Sequence, residues 1–259
     1  MKSVDCPITH TDTYASCTVH PFCAKGAEPK SEDIMITATQ AIGQLTALTN
    51  PEKAEQMQNS YKIARTYLGV SNPDIDTLYK QWRMGVDGEE RTALAAELWD
   101  SNIHEARIAA AKLLTQARIN PDDHVWEEIV RWIPELDHAV LADHACGAGA
   151  RRLLPHPERL GQVATWVQDE NVWVRRSTLT MTMPWTKMNN PKAADFDQRD
   201  QILSWAGELA SDSEWLIQKA VSMWLLSLSK HDAPRVLSFL ETHGAKMKPF
   251  AINEACKLL

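Results

Sequence analysis

The chain has little glycine and proline and no long hydrophobic run. Its 259 residues include only 10 glycines and 13 prolines, which argues against a turn-rich all-β protein. No apolar stretch approaches the roughly 18–20 residues that a membrane-spanning helix needs. The polar start of the chain also lacks the apolar core of a secretory signal peptide. We therefore expect no membrane segment.

The cysteines are too few and too scattered for a disulfide framework. There are five, an odd number, which favours a reducing compartment and predicts a cytoplasmic protein. Near the N-terminus, cysteine and histidine lie close together at Cys6, His10, Cys17, His20 and Cys23. Their spacing matches no established zinc pattern. We predict a flexible leader over residues 1–30 and no metal.

Charge and tryptophan are distributed unevenly. The net charge of −7 comes from the N-terminal half, whereas residues 145–259 are slightly basic. Any phosphate-binding surface must therefore be local, and we expect it in the C-terminal half. The ten tryptophans outnumber the four phenylalanines and four tyrosines together. Their large aromatic surfaces suit either a helical core or a stacking cleft.

From Ser31 onward the apolar residues recur at helical spacing. Asn50-Pro51-Glu52 and Asn72-Pro73-Asp74 each combine a capping residue, an early proline and a first-turn acid, which is typical of a helix start. The pattern predicts thirteen helices, with the helix from Pro51 ending near Leu68-Gly69. Further helices are predicted over about 102–118, 156–168 and 171–187, among others. We find no convincing strand, so the chain is predicted to be all-α.

A degenerate internal repeat accompanies these helices. Three times, an acid at the end of one apolar helix is followed seven residues later by a base on the next: Asp100 and Arg107, Asp169 and Arg176, Asp212 and Lys219. This arrangement resembles the HEAT-type repeat, in which such residues bridge neighbouring units of a stacked solenoid. We predict one HEAT-like α-helical domain over residues 31–259, built as an α-solenoid.

An ordered set of short strings resembles the AlkD-like DNA alkylation repair glycosylases over about residues 35–258. The strings are Asn50-Pro-Glu-Lys-Ala-Glu-Gln-Met57, Tyr67-Leu-Gly-Val70, Leu98-Trp-Asp100 with His104-Glu-Ala-Arg107, His156-Pro-Glu158, Asp169-Glu-Asn-Val-Trp173 with Arg175-Arg176, and Ile217-Gln-Lys-Ala220. The resemblance implies a superhelix of HEAT-like repeats that holds double-stranded DNA in its concave face. It also implies excision of purines alkylated at N3 or N7, without metal or cofactor. We expect a monomer.

The family's catalytic aspartate falls on Asp143 in this resemblance. An alkylated purine is already a cationic leaving group, so general-acid protonation is unnecessary. The sugar becomes oxocarbenium-like as the bond breaks, and a fixed carboxylate stabilises that charge and orients water. The alternative is that Asp143 is an ordinary solvent-facing acid.

Arg176 matches the family's DNA-contacting arginine. A guanidinium can hold a phosphate through two hydrogen bonds and stays charged. The alternative role for Arg176 is the acid–base bridge between repeats. Arg175, Lys187 and Lys219 are further candidates for phosphate contacts, with a solvated helix face as the alternative.

The family lines its lesion cleft with aromatic residues, which attract a cationic base. The matching positions here are Ser60, Ala139 and Met223, with aromatic or imidazole side chains one residue away. The candidate cleft residues are therefore Tyr61, His138, Met223 and Trp224. One residue turns a side chain by about 100° on a helix, so these neighbours are no simple replacements. For Trp224 the alternative is a place in the core beside Leu225 and Leu228.

Two functions remain open on these observations. The first is an N-glycosylase for cationic alkylated purines, with Asp143 as its carboxylate and Arg176 on a phosphate. The second is a catalytically silent HEAT-like scaffold that binds unusual DNA structures or a protein partner. The missing cleft aromatics and the net charge of −7 favour the scaffold.

Overall fold

The computed structural model describes residues 36–116 and 118–259, which fold into thirteen α-helices and four short 3-10 helices. The α-helices are α1 (Ala38–Ala47), α2 (Pro51–Tyr61), α3 (Asn72–Trp82), α4 (Gly88–Asp100), α5 (His104–Leu114), α6 (Asp123–Trp132), α7 (Ala139–Leu153), α8 (Leu160–Ala164), α9 (Val172–Met181), α10 (Ala193–Leu209), α11 (Trp215–Ser229), α12 (Ala233–His243) and α13 (Pro249–Ala255). The 3-10 helices are Ile133–Glu135, Pro157–Arg159, Met183–Lys187 and Gly244–Lys246. Within the described ranges there is no strand, only an isolated bridge between Thr66 and Ile103. The all-α prediction is confirmed.

The predicted helix starts are confirmed because their caps are local. The Asn50 side chain accepts a hydrogen bond from the backbone N–H of Lys53, and Pro51 occupies the first helical position of α2. The cap of α3 lies one residue earlier than expected, at Ser71, whose hydroxyl accepts from the N–H of Asp74. Each cap satisfies an N–H that has no partner inside the helix.

The predicted end of α2 at Leu68-Gly69 is wrong. The helix ends at Tyr61, and Lys62 follows with φ of 56°. The backbone N–H groups of Leu68 and Gly69 donate to the buried Glu105 carboxylate at 3.0 and 2.7 Å, which holds this stretch outside any helix. Gly69 has φ of 71°, and a Cβ there would collide with the carbonyl oxygen of Asn50. Glycine is required at this position by the close approach, not by a helix end.

Three of the predicted helices are shorter than expected or are interrupted. The segment predicted over 102–118 forms α5 from His104 to Leu114 only, and the one over 156–168 contains a 3-10 turn followed by the five-residue α8. The segment over 171–187 ends as an α-helix at Met181 and continues as the 3-10 helix Met183–Lys187. Pro184 lies in this continuation, and proline interrupts α-helix geometry since it has no N–H and its ring clashes with the preceding turn.

The helices stack in two rows. The odd-numbered helices from α3 to α13 form one row, in which each helix packs against the next. The even-numbered helices α4, α6, α10 and α12 pack on this odd row and on their own neighbours, as α4 does on α6 and α10 on α12. This stacking of paired helices is the solenoid arrangement of HEAT-like repeats, so the fold prediction is confirmed.

Hydrogen bonds between repeats recur at a fixed sequence separation. The indole N–H of Trp99 donates to Glu135 and that of Trp126 to Gln162, each 36 residues further on. The Lys112 ammonium donates to Asp76, also 36 residues away, at 2.5 Å. A repeat of about this length therefore organises the stack. It is hidden in the sequence because different residue types make the equivalent bonds.

The acid–base bridges predicted at seven-residue spacing do not form. Asp100 accepts from Arg131 at 2.9 Å, and Asp212 accepts from Arg175 at 2.8 Å. Arg107 instead contacts the Trp99 carbonyl oxygen and the Glu135 carboxylate. Bridges between repeats do exist, but they join residues 31, 33 and 37 positions apart, and Arg176 forms the second of these with Asp143.

Most of the tryptophans belong to the core. Eight of the ten are buried: Trp82, Trp99, Trp126, Trp132, Trp166, Trp185, Trp205 and Trp224. The rings of Trp99 and Trp132 stack at 4.4 Å between centroids and 6° between planes. Trp173 is half-buried, and Trp215 is exposed. The helical-core interpretation therefore holds for most of these rings, and Trp215 is the exception.

Three further predictions concern a membrane segment, a metal site and the N-terminal leader. None of the described helices has the length and apolar character to cross a membrane. Over residues 36–116 and 118–259, no three His, Cys, Asp or Glu side chains are grouped so that they could hold a metal ion. The leader over residues 1–30, with its cysteines and histidines, lies outside the described residues, and its boundary stays a prediction.

Candidate active site

A cleft of about 410 Å³ opens on the odd row where α7, α9 and α11 lie side by side. Its walls carry Asp143 from α7, Arg176 from α9, and Trp215, Lys219 and Met223 from α11. Residues four apart share one face of a helix, so Trp215, Lys219 and Met223 form a continuous wall. The remaining lining residues are Ala139, Thr180, Met183, Leu216 and Ala220. We call this the main cleft.

Asp143 and Arg176 form an ion pair in the main cleft. The Nη2 of Arg176 donates to the Oδ1 of Asp143 at 2.7 Å. The Asp143 side chain is 61% exposed, whereas that of Arg176 is only 14% exposed. The Nη1 of Arg176 is buried without a hydrogen-bond partner among the described residues. Arg176 thus holds the carboxylate with one nitrogen and keeps unused donor capacity.

The charged residues that line the main cleft are one acid and two cations. Asp143 is the single acid among the lining residues, against the two cations Arg176 and Lys219. Lys219 lies 3.6 Å from the carboxylate of Glu254 on α13. Each of the two cations of the main cleft therefore has one carboxylate partner.

The apolar wall of the main cleft contains an aromatic side chain that the sequence analysis missed. Trp215 is 55% exposed and packs against Phe250, with 6.1 Å between ring centroids and 23° between planes. Met223, two helical turns further along α11, is 39% exposed and lines the same wall. The spacing of Trp215, Lys219 and Met223 at four-residue intervals was the available indication of a shared face.

Trp224 does not line the main cleft. Its side chain is fully buried, on the opposite side of α11 from the cleft wall, and joins Leu225 and Leu228 in the core. Its indole N–H has no hydrogen-bond partner among the described residues. Trp224 therefore lies in the core, which was the alternative to a place in the cleft.

Tyr61 and His138 lie together beside the main cleft. Their ring centroids are 3.9 Å apart, and Tyr67 and His104 complete the cluster. His138 caps α7 by accepting from the Val140 N–H at 3.3 Å, directly before the lining residue Ala139. We call these four side chains the aromatic–histidine cluster.

The histidines of this cluster are held in the neutral form. Burial lowers the pKa of His104 from 6.5 to about 3, and the nearby cation Arg65 acts in the same direction. Burial also lowers the pKa of His138. Arg65 itself forms a two-bond ion pair with Asp137, at 3.0 and 2.8 Å, which holds the stretch that follows α2 against the residues just before α7.

The structure separates Arg175 from its neighbour Arg176. Arg175 donates to the Asp212 carboxylate at 2.8 Å and to the carbonyl oxygens of Asp169 and Glu170. It therefore bridges repeats and lines no part of the main cleft. In contrast, Arg176 reaches the cleft because one residue turns the side chain by about 100° around the helix.

Lys187 lies in a second hollow that adjoins the main cleft. This second hollow measures about 550 Å³ and shares Asp143, Thr180 and Met183 with the main cleft. Its other lining residues are Gly147, Ala150, Arg151, Leu154, Pro184, Lys187 and Met188. Asp143 therefore stands on the boundary between two depressions.

Among the described residues, the cysteine nearest in sequence to Asp143 is not a reactive thiol. Cys146 is fully buried on α7, and burial raises the pKa of its thiol to about 11. A thiol with such a pKa is protonated at neutral pH and is a poor nucleophile. The chemistry of the main cleft therefore depends on one carboxylate and two cations.

The fold and the main cleft define a helical-repeat protein with a partly aromatic cleft that holds one carboxylate and two cations. The chain belongs to the DNA alkylation repair enzyme family, whose model matches residues 41–259. This membership confirms the resemblance and supports a role in DNA alkylation repair, with DNA as the partner. No curated protein gives a significant match.

Solved structures show the same fold at low sequence identity. A predicted DNA alkylation repair enzyme from Enterococcus faecalis is 21% identical, with a TM-score of 0.66, over 82% of this chain and 96% of that one. The protein smu.31 from Streptococcus mutans UA159 is 14% identical, with a TM-score of 0.57, over 80% and 98% of the two chains. AlkD2 from Streptococcus mutans is 15% identical, with a TM-score of 0.55, over 80% and 96%.

Proposed function

We propose that this protein is a DNA N-glycosylase that excises purines made cationic by N3 or N7 alkylation from duplex DNA. The observation that carries the proposal is the exposed carboxylate of Asp143, which contacts Arg176 in a cleft that is also lined by Lys219 and Trp215. Arg176 and Lys219 bind phosphate on either side of this carboxylate, and Lys187 extends the contact. Arg175 is left out of this set because it bridges repeats.

The reaction requires one carboxylate and water. The glycosidic bond breaks with its electron pair passing to the purine, which leaves as a neutral base. The sugar acquires oxocarbenium character, and the Asp143 carboxylate stabilises this positive charge. The oxygen of a water molecule held by Asp143 bonds to C1′, and its proton passes to solvent. No metal or cofactor takes part in this scheme.

The ion pair between Asp143 and Arg176 couples DNA binding to this chemistry. In the structure the positive charge of the Arg176 guanidinium partly offsets the negative charge of Asp143. The transition state needs that negative charge to stabilise the sugar. A DNA phosphate competes for Arg176, whose planar group favours two-bond contacts with phosphate. Transfer of Arg176 to the phosphate leaves the carboxylate free to face the sugar.

Trp215 supplies the aromatic surface at the lesion. In the resemblance, the family's aromatic positions fall on Ser60, Ala139 and Met223, of which Ala139 and Met223 line the main cleft, and Trp215 presents its ring to the same cleft. An indole face attracts a cation by about 0.5–2 kcal/mol, depending on desolvation. A cationic base is therefore favoured over its neutral counterpart. The aromatic–histidine cluster, with Tyr61 and His138, supports the start of α7 from behind.

Base release from methylated duplex DNA tests the proposal. Purified protein is incubated with DNA treated with a methylating agent, and free methylated purines are measured by chromatography and mass spectrometry. We expect release by the wild-type chain, undiminished by a metal chelator, and its loss in Asp143→Asn. Asparagine has the same shape without the charge, so thermal unfolding of this variant serves as the control for folding.

A catalytically silent scaffold is the second candidate function. Ala139 and Met223 in place of aromatics favour it, as does the paired state of Asp143. This alternative predicts binding to DNA without any base release, and the same DNA affinity in Asp143→Asn as in the wild type or higher. We further predict a monomer, which sedimentation measurements check directly.

A further inference from the structure

The second hollow combines an apolar floor with two unpaired cations. We propose that it binds one unpaired nucleotide of the DNA, with the phosphate on Arg151 and Lys187 and the base against the apolar floor. The proposal rests on the proposed function only for the identity of DNA as the partner. It requires no glycosylase activity.

The two cations form no salt bridge within the described part of the chain. Neither Arg151 nor Lys187 forms a salt bridge with the residues that the structure describes, and both are exposed. Cations elsewhere behave differently, since Arg131 and Arg235 each hold two or more carboxylates. Unpaired cations in a depression favour an anionic ligand, and DNA supplies phosphates.

The second hollow lies within reach of a strand that crosses the main cleft. Asp143, Gly147 and Arg151 occur at four-residue intervals on one face of α7. The eight residues from Asp143 to Arg151 correspond to about 12 Å along the helix axis. This span equals roughly three to four base steps of about 3.4 Å. Arg151 therefore meets a different phosphate from the one that Arg176 holds.

The floor of the second hollow suits a base that has left the stack. Leu154 is 42% exposed there, beside Met183, Pro184 and Met188, and Gly147 contributes no side chain. Bases within a duplex are covered by their stacked neighbours, so a paired strand gains nothing from apolar side chains below it. An unpaired base buries its face on them, and the burial is favourable. The volume of about 550 Å³ lies within the range of sites for small organic ligands.

The absence of hydrogen-bonding side chains on this floor has a further consequence. Leucine, methionine and proline contact any base face equally well, and the two other polar side chains of the lining, Thr180 and Asp143, are already hydrogen-bonded to Arg176. We therefore expect it to accept any of the four bases.

Binding of unmethylated DNA tests this inference separately from catalysis. Fluorescence anisotropy compares a fully paired duplex with the same duplex carrying a single-nucleotide bulge. We expect the wild-type chain to bind the bulged duplex about tenfold more tightly. The double variant with Arg151→Ala and Lys187→Ala should lose this preference. Leu154→Gln, a change at an exposed position, should reduce it while leaving affinity for the paired duplex unchanged.

Lys230→Ala provides the matched control, because Lys230 is an exposed lysine at the end of α11 outside both depressions. It should keep the full preference. Equal wild-type affinity for bulged and paired duplexes overturns the proposal, as does a preference that survives in the double variant. A proportional loss of affinity for both duplexes in the double variant also overturns it, since that result means phosphate contact alone. Failure of base release leaves all these outcomes measurable.

Discussion

Arg176 on α9 and Asp143 on α7 are joined by a 2.7 Å hydrogen bond that crosses the boundary between two repeats. The carboxylate remains 61% exposed, because the arginine covers one side of it only. The pair brings the candidate catalytic acid and the candidate phosphate ligand into one cleft. It also means that the charge of Asp143 is partly offset before DNA arrives.

Replacing Arg176 tests its role on the phosphate. Arg176→Ala should weaken DNA binding and reduce the slope of log affinity against log salt concentration by about 1, because one phosphate contact is lost. Arg176→Lys keeps the charge but not the two-bond geometry, so its slope should stay near the wild-type value with weaker affinity. Titrations of duplex DNA at several salt concentrations measure both quantities. A wild-type salt slope in Arg176→Ala contradicts the assignment.

Trp215 offers a direct optical test, because it is the one exposed tryptophan of the ten. Acrylamide should quench part of the tryptophan emission, and bound DNA should protect that part. Trp215→Phe should remove most of the quenchable emission while retaining base release, whereas Trp215→Ala should lower base release. The same DNA-dependent protection in Trp215→Phe would show that the ring does not contact DNA.

Trp224 should affect stability and leave DNA binding unchanged. Since it is fully buried, Trp224→Ala is expected to lower the free energy of unfolding by about 3–5 kcal/mol. Trp224→Phe fills most of the space and removes an N–H without a partner, so it should cost under about 1.5 kcal/mol. Urea unfolding measures these changes. Loss of DNA affinity in a folded Trp224→Phe protein would contradict the core assignment and indicate that Trp224 contributes to the cleft.

His104 should make the fold sensitive to acid. Above its ordinary pKa of 6.5 the residue is neutral in both the folded and the unfolded chain. Between 6.5 and about 3 only the unfolded chain binds the proton, so the free energy of unfolding falls as the pH falls. The fall amounts to at most about 1.4 kcal/mol per pH unit.

The variant His104→Gln should show a shallower fall of stability between about pH 6 and pH 4. The slope is the readout, because the substitution can also shift stability equally at every pH. His138 and Arg65 face His104 and are unchanged in the variant. Identical slopes for the two proteins contradict a neutral, buried His104.

The helix starts and the fold class were predictable because their causes are local. Asn50 and Pro51 set the start of α2 by capping and by a fixed φ, without help from distant residues. The stretch that follows Tyr61 was not predictable, since Glu105 holds it from another repeat. The partners of Asp100 and Asp212 depend in the same way on the stacking of repeats.

For the candidate site, the resemblance supplied the residues and the structure supplied their arrangement. Asp143 and Arg176 were singled out by sequence, but their mutual ion pair depends on the approach of α7 to α9. Arg175 and Arg176 are adjacent in sequence but point to different sides of α9 and bind different carboxylates. Trp215 escaped notice because its exposure is decided by Phe250 and the neighbouring helices.

The most direct test of the account is single-turnover base release from methylated duplex DNA by the wild-type chain and by Asp143→Asn. DNA is kept fully bound, so that the rate reports the chemical step alone. We predict release by the wild type and a fall of at least about a hundredfold in the variant, in line with the loss of a preorganised electrostatic contact. Equal rates in the two proteins, with both folded and bound to DNA, contradict the role of the carboxylate.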